Sequence, residues 1–431
     1  MAVFSGGRGV MKKWPAIVVA VSGLLVAGCS GGSNVGSPTT STSPPPAPAK
    51  LDITPAANGQ AVTPDTPITV KADGGKVTDV EISGGEHVNG HLSADGKTWT
   101  SIGTLNVSQK YTVSATATNA AGKTTTSSSS FTTLTPNSVV HTHIYEGENE
   151  TYGVGMPIML TFDKPVKNKA AVEQALQVTS SNPVVGAWSW ADDTHLDFRP
   201  REYWPANTKV SFDGHLNGVQ VSPGVYGAAE LTQTFSIGDS LIVVAGTQTH
   251  RMQVYKNGAL QYDWAISTGK PGHDTPNGTY LTIDKGNPVE MKPSDIAPGA
   301  PGYYDLKVPW SVRFTWSGDY LHDAYWSVGQ QGSEDVSHGC VNMAPEAAQT
   351  YYQEELMGDP VTITGSPLAG TAGDGWTDWF DSWPTMLGKS GTHMAVQAGP
   401  TGSSFVNPTS VAASNATAPT GLPAENNAAA S

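Results

Sequence analysis

The chain has few cysteines and few charged residues, and both shortages restrict what it can be. Two cysteines in 431 residues cannot form a disulfide scaffold or a cysteine-rich zinc module. Lys and Arg number 23 against 37 Asp and Glu, a net charge of −14 that argues against electrostatic capture of nucleic acid. With 48 Gly, 31 Pro and only 14% charged residues, the composition indicates β-rich, loop-rich domains rather than long helices.

Long hydrophobic runs are also scarce, and the notable one lies near the N-terminus. Basic residues precede an apolar stretch at 15–27, which is too short for a permanent membrane span. It ends in Leu-Val-Ala-Gly-Cys, which resembles a bacterial lipobox with Cys29 as the lipidated residue. We expect residues 1–29 to be a lipoprotein signal peptide starting at Met1 or Met11. The alternative is a chance cysteine behind an ordinary cleavage site.

The remaining segments divide by composition and periodicity. Residues 30–50 are rich in Ser, Pro and Thr and predict a disordered linker. Short alternating runs predict two β-sandwiches, at 51–135 and 136–238, with one short helix near 169–176 in the second. His141 and His143 share a strand face there, but no third ligand accompanies them, so no metal site is expected.

The region 239–365 reads as a third, β-rich domain. Asn257-Gly258 between alternating apolar runs predicts a tight hairpin, and Pro345 begins a helix that ends by Gly358. Residues 366–398 form a Trp-rich C-terminal subdomain, expected to pack back onto this third region, with carbohydrate stacking as the alternative. Residues 399–431 are predicted to be a disordered tail. The fold class is mainly β.

The second cysteine has histidines near it in the sequence. Cys340 lies in Ser-His-Gly-Cys-Val-Asn, with His338 two residues before it and His322 upstream. A thiolate is nucleophilic, an imidazolium can lower a thiol pKa, and a Cys/His pair suffices for acyl transfer. Gly339 permits close backbone approach, and nearby N–H groups could form an oxyanion hole. Taken alone, these residues also allow a buried, inert cysteine between structural histidines.

The composite pattern resembles the active-site signature of the L,D-transpeptidases, with their YkuD-like fold. Its parts are Ser337 to Asn342, the segment that follows His322, and Ser-Thr-Gly and Thr-Pro-Asn-Gly-Thr-Tyr at 267–269 and 275–280. The signal, the two immunoglobulin-like modules and the Trp-rich end resemble the actinobacterial branch of that family. The resemblance implies two immunoglobulin-like β-sandwiches followed by a YkuD-like catalytic domain with one or two short helices.

The resemblance also implies a reaction. Cys340 attacks the diaminopimelate–D-Ala bond of a donor tetrapeptide stem, His322 acts as base and acid, and an acceptor stem resolves the thioester as a 3→3 cross-link. His338 helps to hold the thiolate and the donor stem, and the Gly339 and Cys340 amides face the oxyanion. No cofactor or metal is implied. The partners would be peptidoglycan stem peptides, the membrane through Cys29, and carbapenem-type β-lactams as inhibitors.

The remaining site residues also come from the resemblance. The implied substrate-binding residues are Tyr304, Tyr303, Ser337, Asn342, Trp326 and Met291. Either tyrosine could face the oxyanion, Asn342 supports the loop or the substrate, and Met291 belongs to a lid at 287–310. The family often has Ser after the catalytic histidine, and here Asp323 stands there. Its side chain either stabilises an imidazolium or plays no part.

Two alternatives remain open. Water could resolve the thioester, which would make the protein an L,D-carboxypeptidase or endopeptidase. A lipid-anchored, non-catalytic wall-binding protein belongs to a different class. In either case we expect an extracytoplasmic protein, anchored to the outer face of the membrane and facing the wall.

Overall fold

The computed structural model describes residues 47–85, 88–293, 296–300 and 303–409. The predicted signal peptide, Cys29, most of the linker and the tail beyond 409 lie outside these residues. Within the described ranges the chain is mostly strand, with three short α-helices and two single-turn 3-10 helices at Tyr325–Ser327 and Asp378–Phe380. Among the same residues, no helix has the length and apolar character needed to cross a membrane.

The first sandwich has a four-stranded sheet ordered β1-β2-β5-β4 against a three-stranded sheet ordered β3-β6-β7. Alternation creates its core, because every second side chain of β6 points inward, from Tyr111 to Ala117. The strands are β1 (Lys50–Thr54), β2 (Thr69–Asp73), β3 (Gly75–Ser83), β4 (Gly90–Leu92), β5 (Thr98–Ser101), β6 (Lys110–Asn119) and β7 (Thr124–Thr132).

The second sandwich follows, with sheets ordered β10-β18-β15-β12 and β16-β17-β8 and a larger sheet that includes β13-β14-β11-β9. Its core is strongly aromatic, with Trp188, Trp204 and Phe198 fully buried. The elements are β8 (Ser138–Val140), β9 (Thr142–Ile144), β10 (Thr151–Tyr152), β11 (Ile158–Phe162), α1 (Lys169–Gln174), β12 (Leu176–Ser180), β13 (Val184–Trp190), β14 (His195–Pro200), β15 (Lys209–His215), β16 (Gln220–Ser222), β17 (Val225–Gly227) and β18 (Glu230–Ile237).

The third region is built on a nine-stranded sheet ordered β22-β29-β19-β20-β21-β28-β27-β26-β23. The predicted hairpin is present, since Asn257 and Gly258 both have positive φ between β20 and β21. The elements are β19 (Leu241–Gly246), β20 (Arg251–Lys256), β21 (Ala259–Ser267), β22 (Gly278–Leu281), β23 (Asp284–Gly286), β24 (Val289–Met291), β25 (Leu306–Val308), β26 (Ser311–Arg313), β27 (Tyr320–Asp323), β28 (Val341–Met343), α2 (Pro345–Glu354) and β29 (Pro360–Thr364).

The C-terminal segment contains α3 (Trp383–Lys389), β30 (Ala395–Gly399) and β31 (Gly402–Val406). β30 pairs with β13, so the hairpin β30–β31 extends the second sandwich. Composition predicts a disordered tail from residue 399, but residues 399–406 form the end of β30, a turn and β31. They are ordered because Val396, Ala398 and Phe405 pack on that sandwich core.

The Trp-rich segment packs on two regions rather than on the third alone. Trp376 lies in a core that contains residues of the second sandwich and also Leu281 of the third region. Trp379 Nε1 donates to Gly155 O at 2.9 Å, while the Phe380 ring meets Tyr280 at 5.0 Å. The aromatic residues thus cover the joint between the second sandwich and the third region.

A buried carboxylate fixes this segment to α1. Glu173 is fully buried and accepts hydrogen bonds from Trp190 Nε1 and from backbone or hydroxyl groups of Ser390, Gly391 and Thr392. A charge removed from water is tolerated only when donors surround it, as they do here.

Candidate active site

The two residues singled out for chemistry lie on neighbouring parallel strands. His322 is in β27, and Cys340 directly precedes β28. The register pairs Leu321 with Val341 and His322 with Asn342, so Cys340 follows on next to Tyr320. The strand pairing therefore brings the imidazole and the thiol, separated in sequence, to the same end of the sheet.

His322 is held in one tautomer by its own strand. The side chain is only 3% exposed, and its Nδ1 lies 2.8 Å from the carbonyl oxygen of Asp323. A carbonyl can only accept, so Nδ1 carries the proton and Nε2 is the basic nitrogen. Burial lowers the pKa of His322 from 6.5 to about 4, against the opposing effect of that carbonyl. The resting ring is therefore neutral, with Nε2 as its unprotonated nitrogen.

The Asp323 side chain plays no part in orienting that ring, because the backbone carbonyl makes the contact. Its Oδ1 is buried without a hydrogen-bond partner among the described residues. Burial raises the pKa of this carboxyl, and the Tyr325 amide partly offsets the effect. The backbone carbonyl of Asp323 thus orients the His322 ring, although Asp stands where the resembled family often has Ser.

Cys340 is half-buried, with Sγ 3.9 Å from the carbonyl oxygen of Gly318. Burial of the thiol raises its pKa from 9.0 to about 12, and the nearby Asp319 carboxylate adds to the increase. Backbone amides of Tyr320 and of Cys340 itself act in the opposite direction. An imidazolium next to a thiol lowers the thiol pKa, whereas burial in this structure raises the pKa of Cys340 and lowers that of His322.

The loop before the nucleophile is braced from within by Ser337. Ser337 Oγ donates to Cys340 O at 2.6 Å and accepts from Gly339 N at 3.2 Å. The buried Ser337 therefore shapes the loop, which differs from its predicted substrate contact. The Gly339 amide, which is predicted to face an oxyanion, donates its hydrogen bond to Ser337 Oγ in this structure. Its oxyanion role stays a prediction, and it requires the amide to release Ser337 and donate to the oxyanion instead.

Gly339 is fixed from both sides. Its carbonyl accepts from Thr275 Oγ1 at 2.6 Å, and that hydroxyl accepts from Gly269 N at 2.9 Å. The φ of Gly339 is 130°, and a Cβ placed there would lie 2.2 Å from Asp319 Oδ1. Glycine is required because backbone conformation and space both exclude a side chain.

Asn342 supports the scaffold rather than the substrate. It is 3% exposed, and its Nδ2 donates to Ser327 Oγ at 3.1 Å, which ties β28 to the 3-10 helix after β27. Of the two roles predicted for it, loop support or substrate contact, the structure favours the first.

The exposed mouth of the site contains His338. Its Nε2 lies 2.9 Å from Lys270 Nζ, and its ring meets His273 at 4.9 Å and Tyr304 at 5.4 Å. An ammonium can only donate, so Nε2 accepts in this contact. Of the two candidate tyrosines, Tyr304 has its ring against that of His338, whereas Tyr303 N donates to Ala300 O.

The other predicted substrate residues border the site. The Trp326 ring lies 5.9 Å from that of His322, and the side chain is 44% exposed. Met291 is half-buried in β24, opposite Leu306 of β25. β24 and β25 form a two-stranded hairpin separate from the main sheet, within the predicted lid.

Sequence reasoning missed three contributors to this site. Thr275 lies in a recognised motif, but nothing local indicates that its hydroxyl holds Gly339. Lys270 and Asp319 carry no motif signal. Among the described residues, no group of three or more His, Cys, Asp or Glu is arranged to hold a metal ion.

Comparison with known proteins agrees with this architecture. Residues 59–220 match the bacterial Ig domain family, and residues 239–363 match the L,D-transpeptidase catalytic domain family. L,D-transpeptidase 5 of Mycobacterium tuberculosis is 34% identical over 358 residues, covering 80% of this chain and 78% of the relative. L,D-transpeptidase 2 of the same species is 32% identical, covering 75% of this chain and 80% of the relative.

A solved L,D-transpeptidase in complex with imipenem is 32% identical, with a TM-score of 0.46, covering 53% of this chain and all of that one. The catalytic match falls on the region that contains Cys340 and His322, and the sequence relatives extend across the sandwiches as well. The chain therefore belongs to the L,D-transpeptidase family, whose members are transferases that cross-link peptidoglycan.

Proposed function

We propose that Cys340 is the nucleophile and His322 the general base and acid of a peptidoglycan L,D-transpeptidase that forms 3→3 cross-links. The observation that supports this is the pairing of β27 and β28, in which His322 lies opposite Asn342, two residues after Cys340, the only cysteine in the described ranges. The His322 ring has a single tautomer there. Family membership supplies the substrate class, and the residues supply the chemistry.

In the acylation half, the neutral pair reacts in a concerted manner. His322 Nε2 takes the thiol proton as Sγ bonds to the carbonyl carbon of the diaminopimelate–D-Ala link in the donor stem. His322 then gives that proton to the leaving amine, the C–N bond breaks, and D-Ala departs. A resting neutral pair suits this step, because neither of the two reacting side chains is a buried charge before the substrate arrives.

In the second half, the side-chain amine of an acceptor stem attacks the thioester. His322 takes a proton from that amine and returns it to the sulfur as the C–S bond breaks, so the thiol and the neutral imidazole are restored. The exposed Trp326, which lies against the His322 ring, offers an apolar surface on which the acceptor could rest.

The test is incubation of the full chain with a disaccharide-tetrapeptide muropeptide, followed by mass spectrometry. Release of D-Ala with a 3→3 dimer, absent in Cys340→Ala, is the expected result. Release of D-Ala with only tripeptide would replace transfer by hydrolysis. An unchanged substrate with a folded protein would refute the catalytic assignment and favour a wall-binding protein.

We also propose that carbapenems acylate Cys340, since a relative has been solved in complex with imipenem. The β-lactam carbonyl would take the place of the donor carbonyl at Sγ. The expected result is one covalent adduct on intact protein, located on the Cys340 peptide and absent in Cys340→Ala. An adduct elsewhere, or none, would contradict the proposal.

For localisation, we propose an extracytoplasmic enzyme anchored by lipid at Cys29. Support comes from the lipobox-like sequence and from a peptidoglycan substrate that lies outside the membrane. Cys29→Ser in the producing cell is expected to move the protein from the membrane fraction to a soluble one. An unchanged distribution would refute the anchor without affecting the catalytic assignment.

A further inference from the structure

A carboxyl group that the proposed reaction does not use lies against the nucleophile loop. Asp319 directly precedes β27, at the end of the turn 315–319. Its Oδ1 lies within 2.2 Å of the position that a Cβ on Gly339 would occupy, so the carboxyl closely abuts the backbone next to Cys340. The same turn contains Gly318, whose carbonyl is the contact of Cys340 Sγ.

The turn holds this carboxyl in a fixed place. Thr315 Oγ1 donates to Asp319 Oδ2 at 3.2 Å and accepts from the Asp319 amide at 2.7 Å. Phe314 N donates to Asp319 O at 3.1 Å. From the C-terminal segment, Asp374 accepts from both Ser317 N and Ser317 Oγ at 2.7 Å, which locks the turn from outside.

We propose that Asp319 is a positioning residue, which holds the backbone of the nucleophile loop and whose charge opposes ionisation of Cys340. The inference rests on the proposed function, since it concerns the control of that nucleophile. Its consequence is a thiol that stays protonated in the free enzyme and loses its proton to His322 only when a substrate carbonyl is present.

The ionisable groups around Asp319 help to determine the pH at which its carboxyl becomes charged. These are Cys340 on the nucleophile loop, Asp374 on the C-terminal segment and Tyr280 on β22. Burial raises the pKa of Asp319 to about 6, with Asp374 adding to the increase and Thr315 opposing it. The negative charge beside the sulfur therefore forms as the pH rises through about 6.

The test is the rate of Cys340 alkylation by iodoacetamide on the full chain, read by mass spectrometry of the Cys340 peptide between pH 5 and pH 9. Below its pKa, a thiol that titrates alone becomes about tenfold more reactive per pH unit. In the wild type, ionisation of Asp319 should flatten this rise near pH 6. Asp319→Asn should remove the flattening and raise the rate at pH 7.5 by about threefold or more, which corresponds to half a pKa unit.

The matched control is Asp263→Asn, which removes one negative charge from β21, where Asp263 pairs with Arg251. It should reproduce the wild-type curve. A wild-type profile that is straight through pH 6 overturns the inference, and it does so even if Asp319→Asn fails to fold. A folded Asp319→Asn variant whose alkylation rates coincide with those of the wild type at every pH overturns it as well. Because alkylation needs no peptidoglycan, neither result depends on whether the enzyme releases D-Ala.

Discussion

The hydroxyl of Thr275 offers a direct test of how the nucleophile loop is held. It is 1% exposed, donates to Gly339 O and accepts from Gly269 N. Thr275→Val keeps the shape and removes both bonds, which leaves a buried amide and a buried carbonyl unpaired. Each costs about 1–3 kcal/mol, so the free energy of unfolding should fall by roughly 2–6 kcal/mol.

The same substitution should slow catalysis more than it weakens substrate binding. A shift of the loop by about 1 Å can cost about 100-fold in rate, so we expect kcat to fall by about 10- to 100-fold with little change in KM. The assays are urea unfolding and D-Ala release from the muropeptide substrate. Thr275→Ser, which keeps the hydroxyl, should recover most of both losses.

A matched control lies on the neighbouring strand β22. Thr279 bonds the hydroxyl of Thr362 at 3.0 Å and is half-buried. Thr279→Val should cost less than about 1 kcal/mol and leave kcat unchanged, because neither partner belongs to the nucleophile loop. If Thr275→Val loses stability but retains the wild-type kcat, the hydroxyl is merely structural and the reasoning fails.

Three further predictions concern ionisation. Asp323→Asn should leave the pH profile of D-Ala release unchanged, because the His322 ring is oriented by a backbone carbonyl; a displaced profile would assign the side chain a role. Iodoacetamide should modify Cys340 more slowly at pH 7 than free cysteine, because burial raises this thiol pKa to about 12; a rate at pH 7 equal to or above that of free cysteine would instead indicate a thiolate–imidazolium pair. Burial raises the pKa of Glu146 from 4.5 to about 8, so its protonation contributes stability that is complete below pH 4.5 and is lost as the pH rises through 8. In urea unfolding from pH 5 to pH 8.5, Glu146→Gln should flatten that decline by up to roughly 4 kcal/mol, and the exposed Glu150→Gln should not.

Local patterns predicted the elements whose physics is local. Asn257-Gly258 selects its turn through positive φ, Pro345 begins α2, and alternation defines β6. Cys340 and His322 could be predicted as candidates because the family pattern lies in short contiguous segments, and their roles stay predictions. The sequence also indicated that one histidine would act on the thiol, although it did not show through which ring nitrogen.

What the sequence could not show depends on burial and on distant partners. The pKa shifts of Cys340 and His322 follow from how deeply the fold encloses the two side chains, which no local sequence pattern shows. Asp319 touches Gly339 only because β27 and β28 are paired. Strand β31 at 402–406 pairs with β30, and β30 pairs with β13, which lies more than two hundred residues before β31 in the sequence.

The C-terminal segment connects the second sandwich to the chemistry. Trp379 is bonded to Gly155 of the second sandwich, and a few residues earlier Asp374 holds Ser317 in the turn that presents Gly318 to Cys340. The aromatic contacts between the second sandwich and the third region fix one end of the segment. They therefore also fix the position of the Asp374 carboxylate, which binds the turn through Ser317. The Trp-rich segment thus links the second sandwich to the turn at 315–319, because Trp379 is bonded to Gly155 and Asp374 to Ser317. None of the tryptophans at 376–383 takes part in the proposed reaction.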